Sequence, residues 1–221
     1  MVAVSDPLAL LRRAYGDLGG VLAELTPDQA WTPTGCRGWA VLDLVQHLLH
    51  DARRGLVALC TPATGPADTD AVEYWRAWQP EPGDGGVWRT RVVASAAEGL
   101  ADLVGTYAGT TAAVLVAATR VDATDLVATQ GHVLPVADLL SSLVVETAVH
   151  HLDAVAHLDR PGPADGPLAE VRRVLVGLHG GVLPERWDDR TAALRGTGRA
   201  PLTDADRADL GAAAGRFPLF G

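Results

Sequence analysis

The stretch Leu139-Leu140-Ser141-Ser142-Leu143-Val144-Val145-Glu146-Thr147-Ala148-Val149-His150 sets a carboxylate and an imidazole four residues apart in an otherwise apolar run. Apolar residues recur there at helical spacing, and a separation of four puts both side chains on one helix face, a turn apart. Leu143, Val144, Val145, Ala148 and Val149 surround the pair. Burying a carboxylate among such neighbours is costly unless a cation or a hydrogen-bond network compensates. The chain must therefore either place this helix where Glu146 and His150 meet a partner, or leave them as a plain surface pair on an exposed edge.

Three more stretches show the same periodicity. They run from about Pro7 to Leu25, from Ala40 to Leu59 and from Thr90 to Ala118, and the Glu146 stretch itself extends from about Pro135 to Leu158. Gly99, Gly105 and Gly109 weaken the third, since each costs ~1 kcal/mol relative to Ala inside a helix. Arg160-Pro161-Gly162-Pro163 breaks the chain after the fourth. A fifth helix is expected from Pro167 to Leu178, and a short last one from Asp204 to Ala214 with Thr203 as N-cap and Asp206 at the third position. No internal repeat and no run of strand-type alternation stands out. The expected class is all-α: residues 1–160 as a bundle with four core helices, and residues 161–221 as a short helical C-terminal extension packed on it.

Between the second and third stretches, Thr61 to Val87 is rich in Pro, Gly and Asp. Its centre, Glu73-Tyr74-Trp75-Arg76-Ala77-Trp78, with Trp88 close behind, is the densest aromatic patch in the chain. Such loops serve as lids or pocket walls, or simply staple themselves to the core.

Composition narrows the function classes. Hydrophobic residues make up 48% and charged residues 20% of the 221, the balance of a folded domain rather than a disordered one. A net charge of -9 with scattered Arg speaks against a nucleic-acid partner. No uninterrupted apolar run reaches the ~18 residues of a membrane span, and Met1 to Leu11, without a basic start or an apolar h-region, gives no expectation of secretion. Two cysteines, Cys36 and Cys60, fit a reducing cytoplasm rather than a disulfide framework. The absence of Lys, Asn and Ile, whose codons are AT-rich, marks GC-rich coding.

A metal at Glu146 and His150 needs a third ligand from another helix. His47 sits among Leu44, Val45, Leu48 and Leu49, where a satisfied core histidine fits as well as a ligand. His50 competes from a wetter face beside Asp51 and Arg53. His151 points about 100° away from His150, and His157 lies roughly 10 Å along the helix axis. Asp153 is placed to orient a ligand or to pair with a surface Arg, and Asp43 to meet a helix N-terminus. Cys36 is an alternative nucleophile that precedes a helix N-terminus, with no His fixed near it in sequence.

The run Trp31-Thr32-Pro33-Thr34-Gly35-Cys36-Arg37-Gly38-Trp39-Ala40-Val41-Leu42-Asp43-Leu44-Val45-Gln46-His47-Leu48 resembles the first signature of the DinB-like, mycothiol-dependent maleylpyruvate isomerase family. Glu146-Thr147-Ala148-Val149-His150 followed by Asp153 is similar to its second, and the two occur in the family's order. The resemblance covers roughly residues 5 to 160. It implies a DinB-like four-helix bundle in which His47, Glu146 and His150 hold a divalent metal, zinc before others. Two imidazoles and a carboxylate leave a fourth position free, as in catalytic rather than structural zinc sites. A 2+ ion and one carboxylate leave a single positive charge, which suits an incoming thiolate.

The implied activity is a thiol-dependent transferase or isomerase, with mycothiol as cosubstrate attacking a small electrophilic metabolite through a zinc-bound thiolate. GC-rich coding agrees with that thiol. Arg53, Arg54, Trp75 and Trp78, with Trp88 and Arg89, are the expected pocket walls and anchors for cosubstrate and substrate. Two other readings share the residues: a metal-dependent hydrolase using zinc-bound water, and a metal-stabilised binding bundle without catalysis. Homodimer formation is left open.

Overall fold

A computed structural model of the chain describes residues 6–77 and 85–220. Helix α1, Pro7–Ala23, starts where Asp6 accepts the Leu8 N–H at 3.0 Å and Pro7 fills the first turn. Helix α2, Val41–Leu59, starts where the Ala40 N–H donates to Asp43 Oδ2 at 2.9 Å, the helix-start role expected of Asp43. Together with α5, Leu100–Ala118, and α6, Val136–Ala154, they form a four-helix bundle. Leu11, Leu18, Leu44, Leu48, Val114 and Leu139 fill its core, and Tyr15 meets Tyr107 edge to face at 6.1 Å.

The third periodic stretch is not one helix. It divides into α4, Gly85–Ala94, and α5. The break falls at Gly99, whose φ of +139° is a conformation that side chains other than Gly rarely adopt. Helix α5 is also long and apolar enough, by length and composition, to cross a membrane; its Leu103, Tyr107 and Val114 face lies in the bundle core.

Three further features had no expectation behind them, a hairpin and two short helices. Strands β1, Leu126–Thr129, and β2, His132–Pro135, form an antiparallel hairpin closed by Gln130 and Gly131, both at positive φ. Helix α3, Glu73–Ala77, is started by Asp70, which accepts the N–H of Val72 and Glu73 at 2.7 and 2.9 Å. The third is a short helix in the C-terminal segment.

That segment consists of α7, Asp165–His179, the unexpected α8, Asp189–Gly196, and α9, Asp204–Leu210. Helix α9 starts with Thr203 and Asp206 capping one another, as the sequence predicts, and is shorter than expected because the chain turns into a 3-10 helix at Gly211. These helices cover the side of α6 that faces away from the bundle. Val145, Ala148, Val149 and Leu152 pack there against Leu168, Val171, Leu175 and Trp187. As a result 16 of the 19 residues of α6 are buried, which explains why its sequence is apolar on every face. Glu146 and His150 thus project from the central helix of the molecule.

Candidate metal centre

Helix α2 carries His47 toward α6, and α6 carries Glu146 and His150 one turn apart toward α2. His47 Nε2 lies 2.8 Å from Glu146 Oε1 and 3.1 Å from His150 Nε2, and the latter is 3.4 Å from Glu146 Oε1. Two atoms bound to one tetrahedral zinc at ~2.0–2.1 Å lie roughly 3.3 Å apart. The triangle of donors is therefore already near the size a single ion requires. His50, the competing imidazole, is exposed and lies outside this group; His151 turns away, its Nε2–H donating to Pro161 O at 3.0 Å.

The rest of the His150 ring is fixed from behind. Its Nδ1 lies 2.9 Å from Asp153 Oδ2, an acceptor-only group when ionised, so the ring proton belongs on Nδ1 and the Nε2 lone pair faces His47 and Glu146. Asp153 in turn takes a two-pronged grip from Arg199, Nε to Oδ1 at 2.9 Å and Nη2 to Oδ2 at 2.8 Å. Asp153 thus meets both His150 and an Arg, and that Arg is not on the bundle surface: it comes from the C-terminal extension and is itself nearly buried. Sequence reasoning missed Arg199. Only the pairing need of a buried Asp153 signalled an Arg, and nothing local said which.

Charges around the donors favour a cation. Burial alone would raise the Glu146 pKa, but hydrogen bonds from His150 and His47 hold the carboxyl well below its usual range. Burial likewise pushes Asp153 up, and His150 and Arg199 outweigh it and keep the carboxyl ionised. Burial lowers the His150 pKa, yet Asp153, Cys36 and Glu146 together lift it well above that of a free imidazole. Two ionised carboxylates thus draw positive charge to one imidazole, and a metal ion supplies that charge without a proton.

Cys36 sits in the turn before α2, not at the helix start. Its Sγ is 3.1 Å from Asp153 Oδ2 and 3.5 Å from His150 Nδ1, so a histidine remote in sequence does stand beside it. The thiol hydrogen points to Asp153, which makes Cys36 part of the support behind the candidate ligands. Gly35 packs on the same residue: its N–H donates to the backbone carbonyl of Asp153 at 3.0 Å, and a Cβ there would sit 3.1 Å from Asp153 Cα.

His47 and Glu146 open onto a cavity of about 460 Å³ whose wall includes Asp51, Arg54, Tyr74, Trp75 and Arg89. Arg54 and Trp75, two of the expected pocket-wall residues, thus both line this cavity. Asp51 Oδ1 accepts from Arg54 Nε at 2.9 Å and Nη2 at 2.6 Å, leaving Arg54 Nη1 buried with no hydrogen-bond partner. Trp75 stacks on Phe220 from the C-terminal extension at 4.6 Å. Arg53 does not join them: one residue from Arg54 on a helix is a rotation of about 100°, and Arg53 is exposed and not among the residues of that wall. Trp78 lies outside the described residues. Trp88 departs from the patch as well and faces a different cavity.

Fold and donor set together define a DinB-like helical bundle whose site can hold a metal. The chain belongs to the mycothiol maleylpyruvate isomerase N-terminal domain family, whose model matches residues 11–155. No curated protein and no solved structure matches it.

Proposed function

We propose that this protein is a mycothiol-dependent transferase or isomerase that holds one divalent ion, zinc before others, at His47, Glu146 and His150 and acts on a small electrophile. The observation that carries the reading is the convergence of two Nε2 atoms and one carboxylate oxygen within 2.8–3.4 Å of one another beside a cavity of small-molecule size. When bound, the ion supplies Lewis acidity that makes a thiol available as thiolate near neutral pH. Asp153 keeps the His150 proton on Nδ1 so that Nε2 stays free to ligate, and Arg199 keeps Asp153 ionised and in place. Trp39 lies 4.9 Å from the His47 ring and limits its movement. In the cavity, Arg54, Tyr74 and Trp75 contact the reactants.

Metal analysis of protein purified without chelator should give about one ion per chain, and His47→Ala should lose it. Zinc at a hundred times its Kd should add about 2.7 kcal/mol of stability, roughly 5–10 °C in Tm for a chain of this size. Mycothiol should raise Tm further only in the metal-loaded protein. A metal-free protein that ignores both additions sinks the reading, and thiol-independent turnover of esters or amides would replace it with the hydrolase.

A further inference from the structure

The outer side of α4 faces a second cavity, of about 630 Å³, which shares no residue with the one at His47 and Glu146. Arg89, Thr90 and Val93 of α4 face the first cavity, while Trp88, Arg91, Val92 and Ser95 at its end face the second. The helix is thus a partition, which is why it has no single apolar face. Across the second cavity stands the turn that carries Trp31, Cys36, Arg37 and Trp39.

Three indoles line this cavity, and two of them are left largely to water: Trp31 is 71% exposed and Trp88 66%. Exposed aromatics scattered singly need no explanation, but two around one concavity of ligand size do. The polar side chains on the wall reveal what kind of ligand fits. Thr34 Oγ1 donates to Trp39 O at 3.0 Å, Asp43 holds the Ala40 N–H, and Ser95 Oγ donates to Val92 O at 2.7 Å. Trp39 Nε1 donates to Val87 O at 3.4 Å, and Cys36 donates to Asp153. The Thr34, Ser95 and Cys36 side chains and the Trp39 indole N–H there are thus already engaged within the protein, and Asp43 is held through one of its oxygens. Arg37 and Arg91 are the exceptions: both are exposed, and neither pairs with any described residue.

A sugar or other polyol would need several uncommitted hydroxyl, amide or carboxylate groups, and the wall offers little of that kind beyond the second oxygen of Asp43. What it offers is flat indole faces and two guanidinium forks, which stack on rings and grip carboxylate or phosphate in pairs of parallel hydrogen bonds. We propose that this cavity is a second ligand site, for a small anion that carries an aromatic ring. The site does not depend on the metal centre, although Cys36 and Trp39 stand between the two.

Calorimetric titration of the full-length protein with 2-naphthoate tests the proposal. Saturable binding to one site is expected, at least tenfold tighter than that of acetate or of neutral 2-naphthalenemethanol. The double variant Arg37→Gln, Arg91→Gln should raise Kd at least tenfold with Tm unchanged, and so should Trp88→Ala, while Glu146→Gln, which touches no wall residue of this cavity, should leave Kd as it was. Absence of binding overturns the proposal, as does undiminished binding in the double arginine variant or equal binding of the neutral alcohol. Loss of binding in Arg54→Gln alone would overturn it too, by placing the ligand in the other cavity.

Discussion

The carboxylate of Asp153 accepts from His150, Cys36 and Arg199 at once, and it is 1% exposed. Removing one partner of a buried pair is far costlier than never having built it, because the other charge is left uncompensated. Arg199→Met should therefore destabilise the protein by about 3–5 kcal/mol in urea denaturation. The same change should weaken zinc binding by roughly 10–100-fold, since the orientation of His150 depends on Asp153. A variant that loses stability but binds zinc as tightly as the parent would show that Arg199 serves packing alone.

Acid sensitivity belongs to the same residues. Free Asp and Glu titrate near ~3.9 and ~4.3, and in the fold Asp153 and Glu146 are both held lower. A depressed folded pKa contributes stability that is fully present above the unfolded value and lost as pH falls through the folded one. Metal-free protein should hold its Tm from pH 7 down to about pH 5 and lose it steeply below about pH 4. Asp153→Asn should flatten that acid limb, and an unchanged limb would move the titration to other carboxylates.

At the scale of elements, α6 is the one on which everything rests, because it is packed from two sides. Leu143 lies one turn before Thr147 on α6, is fully buried, and fills the space left by Gly55 of α2, where a Cβ would meet its Cδ1 at 2.8 Å. Leu143→Ala should cost about 2–5 kcal/mol, measured by chemical denaturation, as large-to-small changes in rigid cores do. A loss under ~1 kcal/mol would mean that α2 and α6 close the gap.

Element boundaries were legible where a local signal exists. Pro7, Asp43, Thr203 and the Arg160–Pro163 cluster each mark a helix end that the structure places within a few residues. The hairpin was not legible because Gln130-Gly131 is a weaker turn signal than Asn-Gly, and four-residue strands show too little alternation to separate from noise. Helix α8 was missed for a related reason: eight residues carry barely two turns of periodicity, and its burial is decided by what it packs against.

At the scale of the whole molecule, the C-terminal extension completes the site as well as the fold. Val145, Ala148, Val149 and Leu152 would be bared without it, together with the partner of Asp153. Removal of residues 161–221 should give a chain that aggregates on expression or melts without cooperativity, and that fails to retain zinc. A soluble, cooperatively melting fragment that binds zinc normally would show the bundle to be self-sufficient.

The sequence by itself determined the all-α class, the four core helices and the spacing that puts Glu146 and His150 on one face, because these follow from local periodicity and from the cost of a buried charge. With the family signatures it also pointed to His47, which the fold brings within 2.8 Å of Glu146. Only the tertiary structure decided that Arg199 grips Asp153, that Cys36 stands behind His150, and that Arg54 lines a cavity while Arg53 does not. Contacts across 46 or 114 residues leave no periodic trace in a chain; they exist only once packing has fixed which faces meet.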